Sequence, residues 1–458
     1  MNISKMSIRL IIAILFVGLW GATAPLAQAQ EVLTLKDALN YALNNSEALR
    51  KARLEIEGGR HKVAEVRASA LPQIDATSTL TNNLLVQQFV LPAEFMGGNP
   101  GEFIAIKAGQ TWNAMSQVQL NQQIFNQQVF TGLRAARSSE EYYRLAAQLA
   151  EENLIQQVAT NYYQVIITRQ QLQVVEANIE RVSQLEKTVG SQYELGLAKK
   201  IDLDRIKVNK SNLQAQHEQL EYAVTQQENL LKYYIGMPIA QEITIPETEV
   251  DRLEREAVAS LGEDTFNVEQ LVNYQVMKKQ EDLLGLQRKA YVAEYYPSLS
   301  LSGNYMYNSQ SDNFNLYTRR ALNYDMAGLT LNLRIPIFDG NARRAKIRQA
   351  DVELQKIHED LRNTSNALTM AYENAKIQIK NSLNTIETQR ANKDFAEEVF
   401  HSTQNNYQNG LASLTDLLTA ETDLVAAQNS YNEALLNYKV AQIELVKSNG
   451  QIKSLVNE

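Results

Sequence analysis

The chain has 458 residues, 44 Lys and Arg against 52 Asp and Glu, a formal charge of −8 and no cysteine. The acidic balance argues against a nucleic-acid partner, and the missing cysteines exclude both disulfides and lipidation on an N-terminal Cys. Length alone suggests two or three compact domains, but the placement of Gly and Pro points elsewhere.

The N-terminus carries Lys5 and Arg9, an apolar run from Leu10 to about Trp20, and Ala27-Gln28-Ala29. This is the pattern of a secretory signal peptide over 1–29 with an A-x-A cleavage site, so Gln30 is the expected mature N-terminus; the run is short for a membrane anchor. Loss of Lys5 and Arg9 takes the formal charge from −8 to −10. No later run of about 18 apolar residues follows, so a mature chain that enters a bilayer must do so as a closed β-barrel.

"TLKD" at Thr34 has the form of a capping box and opens a helix over about 35–70, which Pro72 ends. "PQIDATSTL" then changes to a period of two, the mark of a strand with unlike faces. An insert at about 84–111, rich in Gly, Pro, Asn and aromatic residues, reads as an exposed loop, and "SQVQLNQQIF" reads as a second strand. Leu133–Val189 and Leu197–Ile235 then run 57 and 39 residues without Gly or Pro and are rich in good helix formers. Between them lies the tip "QYELGLAKKIDL", and the segment 236–265 after them is expected to form a belt around the middle of the molecule.

The second half repeats this order. A helix over about 266–296 stops at Pro297; Leu299, Leu301, Tyr305 and Tyr307 then alternate with Ser298, Ser300, Ser302 and Asn304. After a loop-like insert at about 309–326, Leu329, Leu331, Leu333, Ile335 and Ile337 alternate with Thr330, Asn332 and Arg334. Asn341–Asn409 is a 69-residue run without Gly or Pro, about 100 Å as a helix. A second tip, "NYQNGLASLTDLL", and the 39-residue run Leu411–Asn449 follow, with a tail over 451–458. The two tips share Tyr, Gly-Leu-Ala, Asp and Leu at one spacing, 214 residues apart, so 30–235 and 266–450 are expected to be two structural repeats.

In the last helix Leu417, Leu424, Tyr431, Tyr438 and Leu445 recur every seven residues, with Ala420, Ala427, Ala434 and Ala441 three later, which is a coiled-coil seam. The equivalent seam of the first half places His217 among Leu213, Leu220 and Val224, so His217 is expected to pack rather than to bind metal. Among His61, His358 and His401 the one carboxylate at i+3 or i+4 is Glu65, four after His61, and no metal site, cofactor site or nucleophile–base pair is indicated. Equal lengths suggest that short helices stack end to end beside each long one, 197–235 with 266–296 and 411–449 with 35–70.

Strands of about ten residues with one polar face suit an outer-membrane barrel. Four of them cannot close one, so several chains must share it; three chains give twelve strands. Trp112, Tyr305 and Tyr307 are candidates for an interfacial belt.

Together "LTLKDALNYALNNSEALRKAR", "ALPQI", "YYPSLSLSG", "IPIFDGNARRAKIRQA" and the paired "GLA" tips resemble the TolC-type outer-membrane efflux protein family over about 33–450. Gln123 and Ser46 stand where the family often has proline, and Gly58-Gly59 is expected to loosen the first helix. The resemblance implies an α+β membrane protein. Its homotrimer would form a twelve-stranded outer-membrane β-barrel, four strands per chain, continuous with a long periplasmic α-helical coiled-coil barrel. It also implies a passive duct, with no enzymatic activity, that docks to a periplasmic adaptor (membrane fusion protein) and an inner-membrane RND or ABC transporter. Gly196, Leu197, Gly410 and Leu411 would be the docking tips, and Leu299, Leu301, Leu329, Leu331, Leu333 and Ile335 the lipid-facing strand residues.

By the same resemblance Tyr407, Asp416 and Asp202 match positions that close the periplasmic end. Ala412 replaces an arginine of some members and Thr419 a second acid, which implies a looser gate with one acidic ring. For Asp416 the competing expectation is a helix N-terminal residue held by backbone N–H groups; for Asp202 it is local neutralisation by Lys199, Lys200 and Arg205. A periplasmic coiled-coil structural or adaptor protein without a channel remains the alternative for the whole chain.

Overall fold

The computed structural model describes residues 33–246 and 266–457, so the expected signal peptide and part of the expected belt, 247–265, lie outside the described residues. The helices are α1 (Leu35–Asn45), α2 (Glu47–Ala68), α3 (Gln127–Glu194), α4 (Lys200–Ile235), α5 (Val272–Ala293), α6 (Ala342–Gln408) and α7 (Leu414–Ser448). The strands are β1 (Gln73–Asn82), β2 (Gln88–Pro92), β3 (Phe103–Lys107), β4 (Trp112–Phe125), β5 (Ser298–Ser311) and β6 (Leu322–Arg334). α3 and α6, with 68 and 67 residues, each span about 100 Å.

An antiparallel sheet of order β1-β4-β5-β6 caps one end of the helices. Ion pairs order the helices beneath it: Arg60–Glu140 at 3.4 Å joins α2 to α3, Lys279–Glu141 at 2.8 Å joins α5 to α3, and Lys346–Glu294 at 3.1 Å joins α6 to the end of α5. The helix order α2-α3-α5-α6 therefore continues the strand order column by column. Toward the tips, Lys210–Glu186 at 2.8 Å sets α4 beside α3, Arg181–Glu421 at 3.4 Å sets α7 on its other side, and Lys393 lies 4.7 Å from the Tyr431 ring between α6 and α7.

The short helices consequently stack as α1/α2 with α4 and as α5 with α7, not in the pairing expected from length. All four sums are close to one long helix, so length did not discriminate; packing does. Leu271 and Val272 at the start of α5 share a cavity of about 570 Å³ with Glu444, Lys447 and Ser448 at the end of α7. The main core lies at this mid-height, where Leu35, Ala38 and Leu39 of α1 meet Ile155, Val158 and Tyr162 of α3, Leu231 and Ile235 of α4, and Tyr438 and Ala441 of α7. Burying each large apolar side chain contributes about 2 kcal/mol. The described part of the belt is tied to it: Leu33 N–H donates to Thr244 O at 2.8 Å and Tyr162 OH donates to Leu33 O at 3.0 Å.

Several local expectations change. The first helix breaks at Ser46, whose φ of −58° and ψ of 128° separate α1 from α2. Gly58-Gly59 does not loosen α2: a Cβ on Gly59 would lie 2.8 Å from Tyr143 Cδ2, so the glycine admits α3 closely. The insert at 84–111 is not only loop but holds the β2–β3 hairpin and a 3₁₀ turn over Ala93–Met96. The helix expected from 266 begins as a 3₁₀ turn, Val268–Gln270, and is α-helical only from Val272. β6 ends at Arg334, so Ile335 lies past the strand; Pro336, with no N–H, cannot continue the ladder.

Candidate functional site

Pairing sorts the sheet's side chains into two faces, because residues opposite each other point the same way. Gln122, Leu301 and Leu331 form one row, Ile74, Leu120, Gly303 and Leu329 the next, and Ala76, Val118, Tyr305 and Ala327 a third. Leu299 pairs with Leu333 on this same face. The opposite face holds Gln73, Asn121, Ser302 and Thr330, then Asp75, Gln119, Asn304 and Gly328. Its polar groups bond to one another: Ser302 Oγ donates to Asn121 Oδ1 at 3.1 Å, and Gln119 Nε2 to the same oxygen at 3.4 Å. A bulge between Gln123 and Phe125 bends β4.

No helix among the described residues is long and apolar enough to cross a membrane. The apolar face, by contrast, leaves Ile74, Val118, Leu329, Leu331 and Leu333 exposed. β1 and β6 are free edges, each a row of unpaired backbone groups. At the end remote from the helices, Trp112 meets Phe314 edge-on at 4.8 Å and Tyr307 stacks on Tyr317 at 6.1 Å, so these aromatic groups brace the loops.

The two tips have the same backbone. Leu197 N–H donates to Gln192 O at 2.8 Å and Gly196 N–H to Tyr193 O at 3.0 Å; Leu411 and Gly410 repeat both bonds, to Asn406 O and Tyr407 O, at the same distances. These are Schellman caps, with Gly196 and Gly410 at φ of 75° and 72°. The leucine after the glycine in such a cap commonly packs back on its helix. Here Leu197 and Leu411 are 78% and 79% exposed.

The shared aspartates differ. Asp416 closes a capping box: its N–H donates to Ser413 Oγ at 3.2 Å, while Ser413 N–H and Oγ donate to Asp416 Oδ2 at 2.9 and 2.7 Å. Those bonds, the hydroxyl first and then the backbone N–H, hold its carboxyl below the ordinary range. Asp202 sits in the same turn of α4, but its N-cap Lys199 makes no side-chain cap. Arg205 turns away to donate to Thr415 Oγ1 at 2.9 Å. Tyr407 is half-buried beside Val182, Val189 and Leu414; burial, and then the charge of Asp202, push its phenol up. Tyr407 packs in one cluster with Ala198 and Leu203 of the first tip, while Asp416 bonds to Ser413 and Thr419 is exposed.

His217 packs between helices, its Nε2 3.2 Å from Glu176 Oε1, and no group of His, Cys, Asp or Glu able to hold a metal occurs among the described residues. Sequence reading missed the buried Arg181–Glu421 pair, which carries no local signature, and Ser413, which does: "SLTD" is a capping box at the required spacing.

The profile of the family described as "Outer membrane efflux protein" matches residues 38–237 and 275–451. The chain belongs to this family. It is 20% identical to the outer membrane protein TolC of Vibrio cholerae over 94% of each chain. It is 25% identical to the alkaline protease secretion protein AprF of Pseudomonas aeruginosa over 90% of this chain and 83% of that one. Among solved structures it resembles the CmeC outer membrane channel of Campylobacter jejuni, with a TM-score of 0.72 at 15% identity, over 91% of this chain and 85% of that one. As a member of this family the chain is an outer-membrane transport protein with a large periplasmic part, a passive channel component and not an enzyme. This membership takes the place of the coiled-coil rod alternative.

Proposed function

We propose that three copies of the chain form a passive duct in which their sheets close a twelve-stranded outer-membrane barrel and their helical columns continue it through the periplasm. The observation that carries the proposal is the four-stranded sheet with one apolar face, one polar face and two free edges. An edge left open in lipid costs several kcal/mol per unpaired group, so the sheet must be completed, and further copies of the same sheet do so. Leu299, Leu301, Leu329, Leu331 and Leu333 then face lipid, and Asn121, Ser302 and Thr330 line the lumen.

The exposed tip leucines suit docking to a periplasmic adaptor, which links the duct to an inner-membrane RND or ABC transporter in an efflux or type I secretion assembly. The neighbouring Tyr407 and Asp202 suit a gate at the same end. Purified mature protein tests the reading by its mass in detergent and its conductance in planar bilayers. A trimer that conducts is expected; a monomer that neither inserts nor conducts ions overturns it.

A further inference from the structure

The polar face of the sheet carries one group of side chains that its polarity does not explain. Met306 of β5 pairs with Met326 of β6, and Gln117, opposite Met306 on β4, sets Met115 one pair farther along the same face. Three of the chain's nine methionines therefore lie side by side on three neighbouring strands. The positions around them on this face, Thr77, Gln117, Gln119 and Asn304, are polar, and Met326 is 53% exposed. Apolar packing does not account for the group, because an exposed side chain removes little apolar surface from water.

The register lets the three sulfurs meet. Opposed residues of an antiparallel pair hold their Cβ atoms about 5 Å apart and diagonal ones about 7–8 Å, which long side chains span. Methionine adds three rotatable bonds and a polarisable sulfur, so the group can close on one small ligand. A fourth donor faces the same place. Asn308 pairs with Met115 and stands two residues beyond Met306 on the same face. It is 5% exposed, yet its Oδ1 has no hydrogen-bond partner. A buried oxygen left unpaired is costly, and a cation held among the sulfurs would satisfy it.

We infer that Met115, Met306 and Met326, with Asn308, form a binding site for a soft monovalent cation, silver(I) or copper(I), on the polar face of each sheet. Thioethers select such ions, whereas hard cations prefer carboxylate, carbonyl and water oxygens. The four strands contain neither cysteine nor histidine, so these sulfurs are their softest donors. A hard cation would go instead to Asp75, the carboxylate of this face, which lies on β1, two strands from Met306. The site is complete within one chain; only its place in the lumen rests on the proposed duct.

Calorimetric titration of the purified protein with silver nitrate, in detergent and a chloride-free buffer, tests the site. One silver ion per chain should bind, and Met306→Leu with Met326→Leu should weaken that binding at least tenfold. Leucine keeps the apolar volume, and Met115→Leu, a single change, should weaken binding at least threefold even if the double variant assembles poorly. Met277→Leu with Met370→Leu, on α5 and α6, should bind as the wild type does, and millimolar magnesium should not displace the silver. Equal binding in the wild type and the sheet variants, or displacement by magnesium, overturns the thioether site. In planar bilayers, bound silver adds positive charge to the lumen wall and should shift the reversal potential toward anions in the wild type but not in the sheet variants. Silver binding that the sheet variants lose, with no shift in the wild type, keeps the site and overturns the placement of this face in the lumen.

Discussion

Arg181 of α3 and Glu421 of α7 meet at 3.4 Å with the carboxylate almost wholly buried, and Arg181 also lies 5.7 Å from the Phe400 ring of α6. Three columns therefore converge on one ion pair in the tip half, beside Leu417, Ala420 and Leu424. Burial pushes the Glu421 carboxyl up and the Arg181 charge opposes this, so the pair is held against its desolvation cost.

Removing one partner should cost more than removing both. Glu421→Ala leaves Arg181 with an uncompensated charge and is expected to destabilise the chain by about 2–4 kcal/mol. Arg181→Met with Glu421→Leu is expected to recover most of that loss. Thermal unfolding of the purified protein checks the cycle, and a loss in the double variant equal to the sum of the losses of Arg181→Met and Glu421→Leu measured singly would show that the pair has no coupling.

On β6 the two faces predict opposite outcomes one residue apart. Leu331→Arg puts a cation on the apolar face and should cost about 2–4 kcal/mol near the bilayer midplane, enough to deplete the protein from the outer membrane. Thr330→Arg, on the polar face, should assemble normally and lower cation conductance. Membrane fractionation and single-channel recording separate the cases; equal depletion by both would remove the face assignment.

That face was legible in the sequence because a period of two is local: Leu329, Leu331 and Leu333 alternate with Thr330 and Asn332 whatever the strands pair with. The long helices and the α7 seam were legible for the same reason, since Leu417, Ala420, Leu424 and Tyr438 are buried as their heptad requires. What stayed hidden depends on distant residues. The stacking of α5 on α7 shows in the cavity that Leu271 and Val272 line together with Lys447 and Ser448, residues far apart in the chain, and helix length carries no trace of it. The hairpin in the first insert escaped because Gly and Pro near its turn, at Gly97, Gly98 and Pro100, dominate a short apolar pattern.

Asp416 should make the second tip sensitive to acid. Its folded pKa lies below the ordinary value near 3.8, so the stabilisation it gives is complete above that value and is lost as pH falls through the depressed one. Ser413→Ala, which removes the hydroxyl from the same cap, should cost about 1 kcal/mol of local helix stability at neutral pH. Amide hydrogen exchange at 414–418 should be faster in this variant at pH 7 and approach the wild type once Asp416 is protonated. Identical exchange at pH 7 would show that the cap contributes nothing in the assembled protein.

The gate proposal now separates the two aspartates. Asp416 spends both its N–H and one carboxylate oxygen on Ser413, whereas Asp202 makes no such cap and adjoins Leu203, which packs in one cluster with Tyr407 of the other tip. Asp202→Asn is therefore expected to reduce cation preference and divalent block in single-channel recordings more than Asp416→Asn does. The reverse order would return Asp416 to the lumen and leave Asp202 a local role.

The exposed tip leucines give the sharpest separation of assembly from function. Leu197→Glu and Leu411→Glu touch no core residue, so each should change stability by less than about 0.5 kcal/mol and leave trimer mass and conductance unaltered. If the tips dock an apolar adaptor surface, a carboxylate buried there without a partner costs several kcal/mol and export should fall at least tenfold. Gly410→Ala supplies the contrast. It keeps Leu411 but strains a residue at φ of 72°, so it should loosen the turn while leaving the leucine's chemistry intact. Loss of export in the glutamate variants with retention in Gly410→Ala assigns recognition to the side chain, whereas the opposite pattern assigns it to the shape of the turn.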